Sequence, residues 1–195
     1  MRTLLLIFFT SLSLAVAAQS DPWSESYRLE LAGKPLDAAE KIENQIRNNE
    51  FAQLRHAWLL YSAGRLDESV AGYRRAQQMN PNSLDAHLGL TLPLMAQWKW
   101  KEAADLARAV QRKSPGNYTA GLRLIVIFEA MKQWKNMAEE AARLKDIYPS
   151  DATAWVYLGR GEAASGNADK EAEAYRRVQQ IIPGHLEANA YLGRR

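Results

Sequence analysis

Pro81, Pro115, Pro149 and Pro183 follow one another at intervals of 34 residues. Proline lacks the backbone N–H and clashes with the preceding helical turn, so each one marks where a helix must stop. A single irregular core has no use for helix breakers on a fixed ruler. A stack of equivalent helix–turn–helix units does. The interval therefore predicts an all-α solenoid, an architecture that presents surfaces to other molecules more often than it catalyses.

Other residues keep the same period. Residues 152–185 carry Trp155, Leu158, Gly159, Gly166, Tyr175 and Pro183, and residues 50–83 carry Ala57, Gly64, Tyr73, Ala76 and Pro81. Residues 84–117 hold Leu90, Trp100, Ala103 and Pro115; residues 118–151 hold Leu124, Phe128, Trp134 and Pro149. Antiparallel helices approach closely only where one side chain is small, which accounts for Gly or Ala facing a large aromatic residue. Gly64 and Gly166 fall between the two helices of their units, where a positive φ costs glycine little. Trp98 and Lys132 take that place in the middle units. Those two turns need either another geometry or a strain of about 1 kcal/mol.

This order of large residue, Leu-Gly, Gly, aromatic and Pro resembles the tetratricopeptide repeat, clearly over residues 50–195 and weakly over 20–49. The resemblance implies a right-handed superhelix of stacked hairpins. Units are expected at 50–83, 84–117, 118–151 and 152–185. Before them, Asp21-Pro22 reads as a helix start, Gly33 as a break and Pro35 as a second start, giving a degenerate hairpin over 19–49. Residues 186–195 restart the pattern and stop, as a terminal cap shielding the last hairpin does.

Residues 1–18 stand apart. Arg2 precedes an apolar run over 4–16, and small residues follow at Ala15, Ala17 and Ala18. That is the plan of a secretory signal peptide cleaved after Ala17 or Ala18. The alternative, a retained anchor, would need about 20 apolar residues. No later segment is apolar enough to span a bilayer. The chain has no cysteine, hence no disulfide and no thiolate chemistry. An exported, cysteine-free helical solenoid suits a bacterial envelope, with the periplasm first and release to the medium second.

Composition and motifs exclude more than they assign. Without Arg2 the 25 basic residues become 24 against 22 acidic ones, and the two signs are interspersed. A nucleic-acid partner would call for basic residues gathered on one face. His56, His87 and His185 lie in separate units; the first two are expected as half-buried, hydrogen-bonded residues. No phosphate loop, metalloprotease helix or nucleophile elbow is present, so neither a cofactor nor enzymatic activity is expected.

Carried over position by position, the resemblance implies a groove lined by the first helix of each unit. Its residues would be Leu54, Arg55, Trp58 and Tyr61; Leu88, Leu92 and Met95; Leu122, Arg123 and Val126; and Val156, Tyr157 and Arg160. Trp100, Trp134 and Trp155 are expected in the packing instead. Residues 118–131 are apolar almost all round, and such a helix is either packed on both sides or offers one side to a ligand. Arginines rimming an apolar groove suit a peptide with hydrophobic anchors and acidic or C-terminal carboxylate groups. The asparagines and lysines with which one subgroup of the family grips chaperone C-termini are replaced here by residues such as Trp58, Leu88 and Gly89. Pro93, inside a first helix, is expected to bend it. A second expectation, from another class, is an array that stacks with copies of itself through its ends.

Overall fold

The computed structural model describes residues 21–193. The expected leader at residues 1–18 lies outside the described residues. Within them eleven α-helices follow one another with no strand: α1 (Pro22–Leu31), α2 (Pro35–Ile42), α3 (Glu50–Ser62), α4 (Leu66–Met79), α5 (Leu84–Ala96), α6 (Trp100–Lys113), α7 (Tyr118–Ala130), α8 (Trp134–Ile147), α9 (Ala152–Ala164), α10 (Ala168–Ile181) and α11 (Leu186–Leu192). A 3-10 segment, Glu43–Asn48, follows α2. The chain is an all-α solenoid in which each helix packs mainly on its sequence neighbours.

Each first helix opens on a capping side chain. Asn49 accepts the Ala52 N–H, Ser83 that of Ala86, Asn117 that of Ala120 and Asp151 that of Thr153. His185 does the same for α11, its Nδ1 accepting from the Ala188 N–H at 3.3 Å. These caps satisfy backbone donors that a helix start leaves without partners. The second helices α4, α6, α8 and α10 have no side-chain cap, because they spring directly from a tight turn.

That turn has one design throughout. Gly33, Gly64 and Gly166 adopt φ of 73°, 76° and 77°, and Trp98 and Lys132 adopt 64° and 56°. In each case the next residue donates to the carbonyl five positions back, as Lys99 does to Leu94 and Gln133 to Phe128. Trp98 and Lys132 thus keep the glycine geometry and carry its strain.

Buried apolar residues fall into three clusters. The largest runs from Ala57 to Ala174. A second joins Leu29, Ala38, Ala39 and Ile42 to Leu59, and a third joins Val156, Tyr175, Val178 and Ala188. Close approach is bought with glycine: a Cβ on Gly121 would stand 2.7 Å from Leu144 Cδ2, and one on Gly161 2.8 Å from the Ala138 Cβ. Trp100, Trp134 and Trp155 pack against the largest cluster but are only half-buried. Trp155 also ties down an inter-repeat loop, its indole N–H donating to the Pro149 carbonyl at 3.1 Å. Helix α5 runs on through the buried Pro93 to Ala96. Among the described residues no helix is long and apolar enough to cross a membrane.

Candidate functional site: a groove with one unpaired arginine

Helices α3, α5, α7 and α9 carry the residues expected to form the groove. Leu54, Tyr61, Leu88, Leu92, Met95, Leu122, Arg123, Val126, Tyr157 and Arg160 are half-buried, Trp58 is 39% exposed, and Val156 is buried in the C-terminal cluster. Helix α7 resolves its apolar ambiguity by burying Leu124, Ile125, Ile127 and Phe128 while leaving Leu122, Arg123 and Val126 partly open.

The three arginines have different fates. Arg55 is only 9% exposed; it pairs with Glu30 of α1 at 2.9 Å, donates to the Ser26 hydroxyl at 3.1 Å and lies 3.6 Å over the Tyr27 ring. Trp58 donates its indole N–H to the other oxygen of Glu30 at 2.9 Å and leans on Tyr61. Arg160 grips Glu187 of α11 with two nitrogens, at 2.8 and 2.5 Å, and lies 3.7 Å from Glu129. The hydrogen bond to Glu187 raises the pKa of Arg160, while Arg160 lowers that of Glu187. Both cations are therefore spent inside the fold.

Arg123 is different. No carboxylate pairs with it among the described residues; its Nε, like that of Arg55, is buried without a hydrogen-bond partner, but Arg55 has Glu30 to balance its charge. Burial lowers its pKa from the ordinary arginine value, and the nearby Tyr61 and Tyr73 oppose that shift. The guanidinium stays charged at any physiological pH. A half-buried cation with no counter-ion is the condition a carboxylate ligand would relieve.

A mainly apolar pocket of about 310 Å³ is lined by Tyr27, Phe51, Leu54, Trp58, Tyr73 and Gly89 together with the paired Arg55 and the exposed Asp85, and Tyr73 links Arg123 to this pocket. Its existence depends on Gly89. Tyr73 belongs to α4, and its ring reaches the groove side only because α5 bears no side chain at that point. Burial raises the pKa of the Tyr73 hydroxyl, so it remains a neutral donor. Sequence reasoning missed Tyr27, Glu30 and Tyr73 as groove components, and it named Gly89 only as the residue at a position where other members of the family carry a clamp side chain. The recurrence of Gly opposite Tyr, at 89 against 73 and again at 159 against 175, was the available signal.

The three histidines belong to separate repeats. His87 Nδ1 lies 2.7 Å from the Ser83 carbonyl, whereas His56, expected to be hydrogen-bonded, has a buried Nδ1 with no partner and a pKa lowered by that burial. Among the described residues no group of three His, Asp or Glu side chains could hold a metal ion.

Several solved structures share this fold. MamA from Desulfovibrio magneticus RS-1, residues 41 to the end, superposes with a TM-score of 0.73 at 17% identity, covering 85% of this chain and 95% of that one. YrrB, described as a TPR protein with an unusual peptide-binding site, gives 0.70 at 14% identity, covering 88% and 90%. A tetratricopeptide repeat protein from Parabacteroides merdae gives 0.75 at 12% identity, covering 87% and 68%. At such identities the likeness is one of fold. No curated protein sequence matches the chain. The family model described as tetratricopeptide repeat matches residues 54–118 and 135–185, more than half of the chain. With its turns, caps and stacking in hand, the chain belongs to the tetratricopeptide repeat family.

Proposed function

We propose that this chain is an exported protein-interaction module whose groove takes a peptide segment bearing a large apolar side chain and a carboxylate. The observation that supports it is the half-buried Arg123, which has no ion-pair partner among the described residues and whose charge acts on Tyr73, a residue that lines the apolar pocket with Gly89. The apolar side chain would fill the pocket, and the carboxylate, from an acidic residue or a chain end, would pair with Arg123. The apolar run at residues 4–16 and the absence of cysteine support export to a bacterial envelope, where such a module would act as an adaptor. Fluorescence anisotropy with labelled peptides tests the reading. Affinity should fall about tenfold in Arg123→Gln and when the peptide carboxylate is amidated. Equal binding in both cases would sink it.

Self-stacking through the ends is the second reading, supported by Leu186, which is 86% exposed at the last helix, and by the exposed Ile182. Sedimentation at two concentrations tests it, since a stacking array changes mass on dilution.

A further inference from the structure

The turn edge of the solenoid, away from the groove helices' lining residues, carries a feature that packing does not explain. Trp98 is 78% exposed and holds φ at 64°, in the turn position filled by Gly64 and Gly166 elsewhere. An exposed indole at a strained position stabilises nothing by burial; strain of this kind persists where the side chain has other work. The ring sits 6.4 Å from that of Trp100, and the exposed Met131 from the following turn lies beside them. Together they border a shallow depression of about 560 Å³.

The charges around it are unbalanced. Glu102 is paired with Arg74 at 2.8 Å, Asp105 with Arg108 at 3.4 Å, and Asp67 accepts the Gln97 amide at 2.7 Å. Lys99, Lys101 and Lys132 are exposed and have no ion-pair partner among the described residues. The patch is thus an apolar tip ringed by three ammonium groups without ion-pair partners among the described residues, while Glu102 and Asp105 are paired and Asp67 alone of the three carboxylates keeps an unbalanced charge.

We propose that this edge docks on an anionic lipid surface, with Trp98 at headgroup depth and Lys99, Lys101 and Lys132 against lipid phosphates. Indole rings favour the membrane–water boundary, and lysines on flexible stems are drawn to anionic leaflets. Protein interfaces are rich in tryptophan and arginine but poor in lysine, which favours a lipid over a protein here. The contact is peripheral and reversible, and it leaves the groove free.

Vesicles of brominated phosphatidylcholine, with and without phosphatidylglycerol, test it on the full chain by co-sedimentation and quenching of tryptophan emission. Trp98→Gly suits the turn, so its helicity should match that of the parent. It should lose part of the quenched emission and bind the anionic vesicles about tenfold less. Lys99→Glu combined with Lys101→Glu and Lys132→Glu should abolish the gain from phosphatidylglycerol. Unchanged binding in these variants would overturn the proposal by placing attachment elsewhere, as in the apolar residues 4–16. Capture of an acidic protein by the patch, with Trp98 emission unquenched by lipid, would overturn it equally.

Discussion

A Cβ placed on Gly89 would lie 2.1 Å from Cε1 of Tyr73 and 2.7 Å from Cζ. A ring held between two helices cannot retreat as the end of a flexible chain can. Gly89→Ala is therefore expected to cost about 2 kcal/mol in urea denaturation, as overpacking does. Adding Tyr73→Leu should recover much of that loss. A neutral Gly89→Ala would show that the ring is not so confined.

Arg55 of α3 and Glu30 of α1 join the second hairpin to the first. Removing Arg55 leaves a half-buried carboxylate held only by Trp58. Because Glu30 keeps some contact with water, Arg55→Ala is expected to cost about 2 kcal/mol, below the value for a fully buried pair. Limited proteolysis should then cut first within residues 21–49, and equal resistance in both proteins would refute the link.

The side chain of Lys132 makes no ion pair within the fold, among the described residues, that would offset its left-handed turn. Replacing it with glycine should raise stability by about 0.5–1 kcal/mol, the relief of backbone strain less the entropy glycine loses on folding. Lys132→Ala, which keeps a Cβ, should gain nothing. Thermal melts of the two variants decide the point.

The Arg160–Glu187 contact sets an acid limit on the last helix. Its hydrogen bond to Arg160 depresses the Glu187 pKa in the fold, with further help from Tyr175. A depressed carboxylate stabilises the fold above its unfolded pKa and loses that contribution as pH falls through its folded value. Hydrogen exchange at α11 should therefore accelerate below the ordinary glutamate range, and Glu187→Gln should show fast exchange already at neutral pH.

The spacing of four prolines made the architecture legible, because a helix breaker acts locally and its period survives in the string. Gly64 and Gly166 marked the turns for the same reason. What stayed hidden were contacts between residues far apart in order. Arg55, Arg123 and Arg160 look alike as letters, yet their fates depend on Glu30 and Glu187, which lie 25 and 27 residues from their partners. The first hairpin's share of the groove was also hidden, since its shortened second helix breaks the register that aligns the other units.

Three separate apolar clusters, linked end to end, have a consequence for how this molecule comes apart. The first hairpin is joined to the rest of the core through Leu59, and α11 through Val156, Tyr175 and Val178. Warming should peel the two extremities before the middle gives way, so calorimetry should record a broad transition whose van't Hoff enthalpy falls short of the total heat absorbed.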